Sequence, residues 1–277
     1  MDRQVALEAL GAVCNAQITS VQNQRAGGHD GVFQRACFPS SAASTLSVNG
    51  LICAIADGDQ TCPVSKNNFA RIQRVLQHGG QSSDSDTYFR TPPQERSFII
   101  DEGEFFDPTF DYDFSGLQDT ETYYRGGEVY ERPSGWYRFA LKVLNKYEGN
   151  TWLGTRYRST ASVPGEWPVS YHGTSKEGAG GIIEGFYKPG AGQAYGRGIY
   201  STPYINEAVP YAKTFTSQKN GKSYQVILQN RINPQYRQKH NNDRYWLVPI
   251  PSVLSAQEEQ EIVEQAIRPY GLLLKEV

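Results

Sequence analysis

From Pro168 to Val277 the chain reads as strand-length apolar runs parted by turns, without the strand–helix alternation that a parallel sheet needs. PVSYHGT is one strand and GIYST another. YQVILQNRINP alternates apolar and polar side chains, RYWLVPI follows, and LLLKEV closes the chain. Helices are short and interposed: GAGGIIEGF ending near Gly185, NEAVPYAKTF bent or restarted at Pro210, and AQEEQEIVEQAI, for which Ser255 and Glu258 supply a capping box. This order predicts an α+β fold with a mostly antiparallel sheet.

Upstream, RPSGWYRFALKVLNKY places Trp136, Phe139, Ala140, Val143, Leu144 and Tyr147 on one helical face, so the spacing predicts an amphipathic helix packed on the core. FIIDEGEFFDPTFDYDF mixes carboxylates with aromatics and reads as a solvated loop with rings tucked beneath it. Residues 1–95 have another texture: all four cysteines, few aromatics, and the polar stretch HGGQSSDSD. Ser65 caps a helix there, with Phe69, Ile72, Val75 and Leu76 at helical spacing up to Gly79. The expected division is a smaller mixed or helical N-terminal region, 1–95, serving as a lid or regulatory segment, before a domain spanning 96–277.

Composition narrows the partners. A net charge of −2 and a pI near 6.1 argue against wholesale attraction to nucleic acid. Cys14, Cys37, Cys53 and Cys62 are not spaced as a paired zinc motif, so reduced, partly buried thiols and no metal are expected. No run approaches the roughly 18 apolar residues of a membrane span. The N-terminus has acidic residues and an interrupted apolar stretch, unlike a secretory signal. An intracellular protein that engages no membrane is the expectation.

The segment carrying chemistry runs from Trp167 to Phe215. His172 is one of only four histidines, and Gly173 follows it at a strand end. A glycine there lets a flat ligand approach the backbone, whose N–H and C=O match a primary carboxamide. His172 can bond a ribose hydroxyl through one nitrogen while the other fixes its tautomer. Tyr200 and Tyr211 stand eleven residues apart across a strand-to-helix turn, which suits two rings sandwiching a third. The glycine-rich loop between Phe186 and Gly198 can lie over a dinucleotide, with Arg197 available to a phosphate.

Taken in order, Y-H-G-T, I-I-x-x-G-F, Y-G-R-G-I-Y-S-T and A-x-x-Y resemble the ADP-ribosyltransferase domain of the poly(ADP-ribose) polymerase and diphtheria-toxin-like group. The likeness is close over about 50 residues and looser over about 110. It implies split antiparallel β-sheets with flanking helices, and NAD as substrate without a metal. It further implies that His172 holds the ribose and the adenosine side of NAD, that Gly173 pairs with the carboxamide, that Tyr200 is the tyrosine of the catalytic triad with His172, and that Tyr211 stacks on nicotinamide, with Thr174, Arg197 and Gly198 as further NAD-binding residues.

Two positions depart from the family pattern. Ala208 replaces the small hydroxyl residue three before the second tyrosine, removing a hydrogen bond worth about 0.5–1.5 kcal/mol. The family's catalytic glutamate aligns with Arg244, with Asp243 one residue before it. A one-residue slip turns a strand side chain to the other face, so Asp243 replaces the glutamate only if the strand begins with a bulge. Glu258, Glu259 and Glu261 on the late helix are the other candidate acids, with no sequence signal that brings them to the site. A chain without the glutamate is a poor polymerase, which leaves a mono-ADP-ribosyltransferase acting on a protein or nucleic-acid acceptor, an NAD glycohydrolase, or a catalytically silent NAD- or ADP-ribose-binding module. An RNA 2′-phosphotransferase of the same broad fold would draw on the basic cluster Arg237, Lys239, His240 and Arg244.

Overall fold

The structure is a computed structural model that describes residues 1–22, 44–58, 96–155, 159–174, 195–251 and 253–277. The helix expected after Ser65, the helix ending near Gly185 and most of the glycine-rich loop lie outside the described residues, as do Cys37 and Cys62.

Helix α1 (Arg3–Cys14) starts at Asp2, whose carboxylate accepts the Gln4 amide, and stops at Asn15 in the left-handed region. Strand β1 (Gln17–Ser20) follows, then β2 (Ser44–Thr45) and α2 (Leu51–Gly58). Strand β3 (Ser97–Ile100) lies between β1 and β2 and runs parallel to both. The short helix α3 (Glu102–Phe105) leads to β4 (Tyr112–Asp113), a two-residue pair β5 (Tyr124–Arg125) and β6 (Glu128–Val129), and β7 (Tyr137–Ala140).

The remainder builds two facing antiparallel sheets. Strands β8 (Val169–His172) and β9 (Gly198–Ser201) precede helix α4 (Ile205–Ala208) and the 3₁₀ turn Val209–Tyr211. Then come β10 (Lys213–Thr216), β11 (Ser223–Ile232), β12 (Gln238–His240), β13 (Tyr245–Pro249), helix α5 (Ala256–Ala266) and β14 (Ile267–Glu276). One sheet has the order β10-β11-β14-β7-β4, with β8 also paired to β11; the other is β12-β13-β9. They join where Tyr171 and Thr202 exchange backbone hydrogen bonds of 2.7 and 3.0 Å. The fold is therefore α+β with mostly antiparallel pairing, as the order of runs implies.

Side-chain alternation places the core. Along β11, Tyr224, Val226, Leu228 and Ile232 enter the larger apolar cluster with β9, β13 and β14. Ile227 faces a second cluster, formed with Trp136, Tyr171, Ile205, Ala208 and Leu273. Leu7 and Leu10 of α1 and Leu51 and Ile52 of α2 belong to the larger cluster, together with Ile267 and Leu272. The described residues before position 95 thus share a core with the C-terminal sheets. Cys14 lies in that core, where burial pushes its thiol up to about 12, so it is a packing group and no nucleophile at neutral pH.

Two expected elements take another form. The run NEAVPYAKTF is helical only as far as the 3₁₀ turn at Val209–Tyr211, and its end belongs to strand β10, paired with β11. The stretch 132–147 is no helix: Tyr137–Ala140 is strand β7, paired with Gly271–Leu274 and with Tyr112–Asp113. Its apolar letters also obey a period of two. Tyr137, Phe139, Leu141 and Val143 pack on the larger cluster, and Trp136 belongs to the opposite one. Hydrogen-bonding edges on both sides decide between the two periods. The acidic stretch beside it is used internally. Asp101 and Asp107 cap turns, Asp111 accepts the Ala140 amide at 2.7 Å, and Glu104 pairs with Lys142 and Lys146, while Phe105, Phe106 and Phe114 are buried.

Candidate functional site

His172 and Gly173 end β8 beside the joint between the two sheets. His172 is 5% exposed, and its Nδ1–H donates to the Tyr200 carbonyl at 2.5 Å. A carbonyl can only accept, so Nε2 is the acceptor nitrogen of the neutral ring. Burial pushes the imidazole down to about 4, outweighing the opposing pull of the Tyr200 carbonyl. The ring is therefore uncharged at neutral pH.

Gly173 packs against the backbone of Tyr211. A Cβ at this position would lie within 2.7 Å of Tyr211 Cβ and closer still to its carbonyl carbon and oxygen. No other residue fits without moving one of the two segments. Two consecutive residues thus touch the two tyrosines: His172 holds the backbone of Tyr200, and Gly173 holds that of Tyr211. Thr174 follows, its Oγ1 buried with no hydrogen-bond partner among the described residues.

Tyr200 is 3% exposed and arrives on β9, paired opposite Leu247 of β13. Its hydroxyl donates to the Gly196 carbonyl at 2.7 Å and accepts the Tyr195 amide at 3.2 Å, which fastens the turn before the strand. Gly198 opens β9 where a Cβ would overlap the Val248 carbonyl, so this glycine permits the close pairing with β13. Its part is internal packing. Tyr211 is half-buried; burial first, and then the Glu207 carboxylate, raise its phenol above the usual range.

Besides Gly198, two expected site residues are engaged within the protein. Arg197 is one. Its guanidinium donates to the Ile250 carbonyl at 3.1 Å and the Pro251 carbonyl at 2.5 Å, and pairs with Glu259 of α5 at 2.6 Å. It clamps the exit of β13 to the late helix. Asp243 is exposed in the turn between β12 and β13, where Asn241, Asn242 and Asp243 all have positive φ, and its carboxylate pairs with Lys239 at 3.1 Å. No bulge turns it towards Tyr200. Glu258 accepts the Ser255 amide in its capping box, and Glu259 holds Arg197, so these two late-helix acids also have structural uses.

The carboxylate that acts on Tyr211 is Glu207, which no motif singles out. Helix α4 runs directly into the 3₁₀ turn, so Glu207 and Tyr211, four residues apart, share one side of it. Glu207 Oε1 pairs with Arg244 Nη2 at 3.0 Å, and Oε2 lies 3.4 Å from the Tyr245 hydroxyl. The spacing from Tyr211 is the signal that sequence reasoning had available. The rest of the basic cluster is likewise engaged within the protein. Arg237 pairs with Glu128 and lies 4.0 Å over the Trp246 ring, Lys239 also reaches Glu128, and His240 stacks on Tyr195 with ring centres 4.3 Å apart. A phosphate would have to displace these partners.

Among the described residues no group of three or more His, Cys, Asp or Glu is placed to hold a metal ion, and no helix is long and apolar enough to cross a membrane. Neither a family model, nor a curated protein, nor a solved structure matches the chain.

Proposed function

We propose that this protein is a mono-ADP-ribosyltransferase that takes ADP-ribose from NAD, releases nicotinamide, and passes the sugar to a protein or nucleic-acid acceptor. One observation carries the reading. The residues that the motif resemblance assigns to NAD, distant in sequence, converge at the joint of the two sheets: His172 on the Tyr200 backbone and Gly173 on the Tyr211 backbone. A neutral His172 with an acceptor Nε2 suits a ribose hydroxyl. Tyr211, half-buried and with its backbone against Gly173, carries an aromatic ring of the kind that suits stacking on a flat amide-bearing ring.

In the reaction the C1′–N bond of NAD breaks, and nicotinamide leaves with the bonding electron pair. The ribose carbon bears positive charge until an acceptor oxygen or nitrogen attacks it and sheds its proton. Groups that hold the ribose and the departing ring in line lower the barrier by positioning.

The test is incubation of the purified chain with NAD labelled on the ADP-ribose, following free nicotinamide and label together. Nicotinamide release with label on a macromolecule is the expected result. Release with only free ADP-ribose identifies a glycohydrolase. NAD binding without release identifies a silent module.

A further inference from the structure

We infer that Glu207 is the catalytic carboxylate of this site, held in place by Arg244 and Tyr245; the inference rests on the NAD reading above. The aligned glutamate position holds Arg244, and a lone cation there would oppose the positive charge that grows on the ribose carbon. The structure removes that conflict. Arg244 stands immediately before β13 and turns its guanidinium onto Glu207 at 3.0 Å, while the next residue, Tyr245, brings its hydroxyl to the second carboxylate oxygen at 3.4 Å. The Arg244 ion pair orients the carboxylate, with the Tyr245 hydroxyl as a longer, weaker contact.

Its position follows from the chain. Glu207 lies four residues before Tyr211, its carboxylate acts on the Tyr211 phenol, and the Tyr211 backbone abuts Gly173. The Glu207 side chain is 28% exposed, against 57% for Arg244 and 55% for Asp243. Glu207, the acid that acts on Tyr211, is thus more sheltered than Asp243, the acid next to the aligned position. The groups facing Glu207 are Tyr211 on its own turn and Arg244 and Tyr245 from the β13 end.

The chemistry balances with no further reactant. As the C1′–N bond breaks, the Glu207 carboxylate stabilises the cationic ribose. As the acceptor's oxygen or nitrogen bonds to C1′, the carboxylate takes the proton that the acceptor loses and returns it to solvent. Arg244 and Tyr245 touch no reacting atom; they are positioning residues.

The test uses the full chain, with nicotinamide release from NAD as the activity and calorimetric NAD titration as a separate readout. Glu207→Gln lowers kcat by about 100-fold, the range of a positioned general base, with the KM for NAD within about threefold. Arg244→Gln lowers kcat less, again with little change in KM. A kcat within about tenfold of wild type in a folded Glu207→Gln protein overturns the role of Glu207 and leaves the NAD reading standing. A wild-type chain that binds NAD without turnover overturns the catalytic role as well, and one that binds no NAD overturns both. If Glu207→Gln does not fold, the reversed pair E207R/R244E decides, because it keeps both charges and returns a carboxylate to the other side of the pair. Turnover above that of E207R alone supports the inference, and turnover no higher overturns it.

Discussion

Acidification should unfold this protein through His172, and the size of the effect can be worked out. The imidazole sits at about 4 in the folded chain against an ordinary 6.5, because burial disfavours its charged form. As pH falls below 6.5 the unfolded chain takes up this proton and the folded chain does not, so stability must fall with pH. At about 1.4 kcal/mol per pH unit the loss reaches about 2 kcal/mol by pH 5, and about 3 kcal/mol in full once the pH passes below 4. The useful window is 6.5 to 5. Below it, carboxylates that ion pairs hold low, such as Glu104 at about 2 and Glu128, begin to contribute losses of their own. Asp111 and Glu131, raised by burial, act with the opposite sign. The assay is therefore a difference: urea unfolding of wild type and His172→Gln across that window, with the carboxylates and the other three histidines common to both proteins. The wild type should lose about 2 kcal/mol more than the variant. Parallel curves would refute a neutral, buried His172, and with it the tautomer that leaves Nε2 to accept from a ribose.

Gly173→Ala should cost about 1–3 kcal/mol and weaken NAD binding, since the new methyl group meets the Tyr211 backbone and no flexible side chain end; thermal melts with an NAD titration check both. Glu166→Gln should cost about 3–5 kcal/mol in chemical unfolding, because the 3%-exposed carboxylate joins Arg231 and Arg125 and accepts the Val163 amide, and its loss leaves the buried Arg231 charge uncompensated. Asp243→Asn should leave nicotinamide release within about twofold of wild type, as an exposed pair with Lys239 contributes little; a larger drop in kcat would return Asp243 to the site.

Strands β8, β9, β11 and β13 were legible because each run carries its own period and its own terminator, whereas β10 was read into the helix NEAVPYAKTF and β12 was not assigned. The alternation of 224–232, the capping box at Ser255 and the break at Pro210 are local signals, and each element appears where its signal lies. The stretch 136–143 was misread for a definite reason. Its apolar positions satisfy a 3.6-residue and a two-residue period together, so the choice falls to partners more than a hundred residues away on β14. The sharing of one core by α1, α2 and β14 is equally invisible locally, since contacts between distant segments leave no periodic trace.

For the site, the need for a fixed histidine tautomer was legible, and the Tyr200 carbonyl supplies it. Gly173 was expected to open the backbone to a ligand, whereas the structure shows Tyr211 in the space of its side chain, a constraint from a distant segment. Charged residues were harder, because a guanidinium or carboxylate takes its meaning from whichever opposite charge the fold brings to it. Arg197 reads as a phosphate ligand until Glu259 and the Ile250 and Pro251 carbonyls are seen around it. Asp243 reads as a displaced catalytic acid until Lys239 is seen. Arg244 reads as a flaw in the active-site pattern until Glu207 is seen, 37 positions earlier in the chain (244 − 207) and 3.0 Å away. On the reading proposed above, the carboxylate comes from the helix and not from the strand, an exchange that a transition state tolerates because it senses where a carboxylate lies and not which segment delivers it. A motif read position by position records such an exchange as a loss.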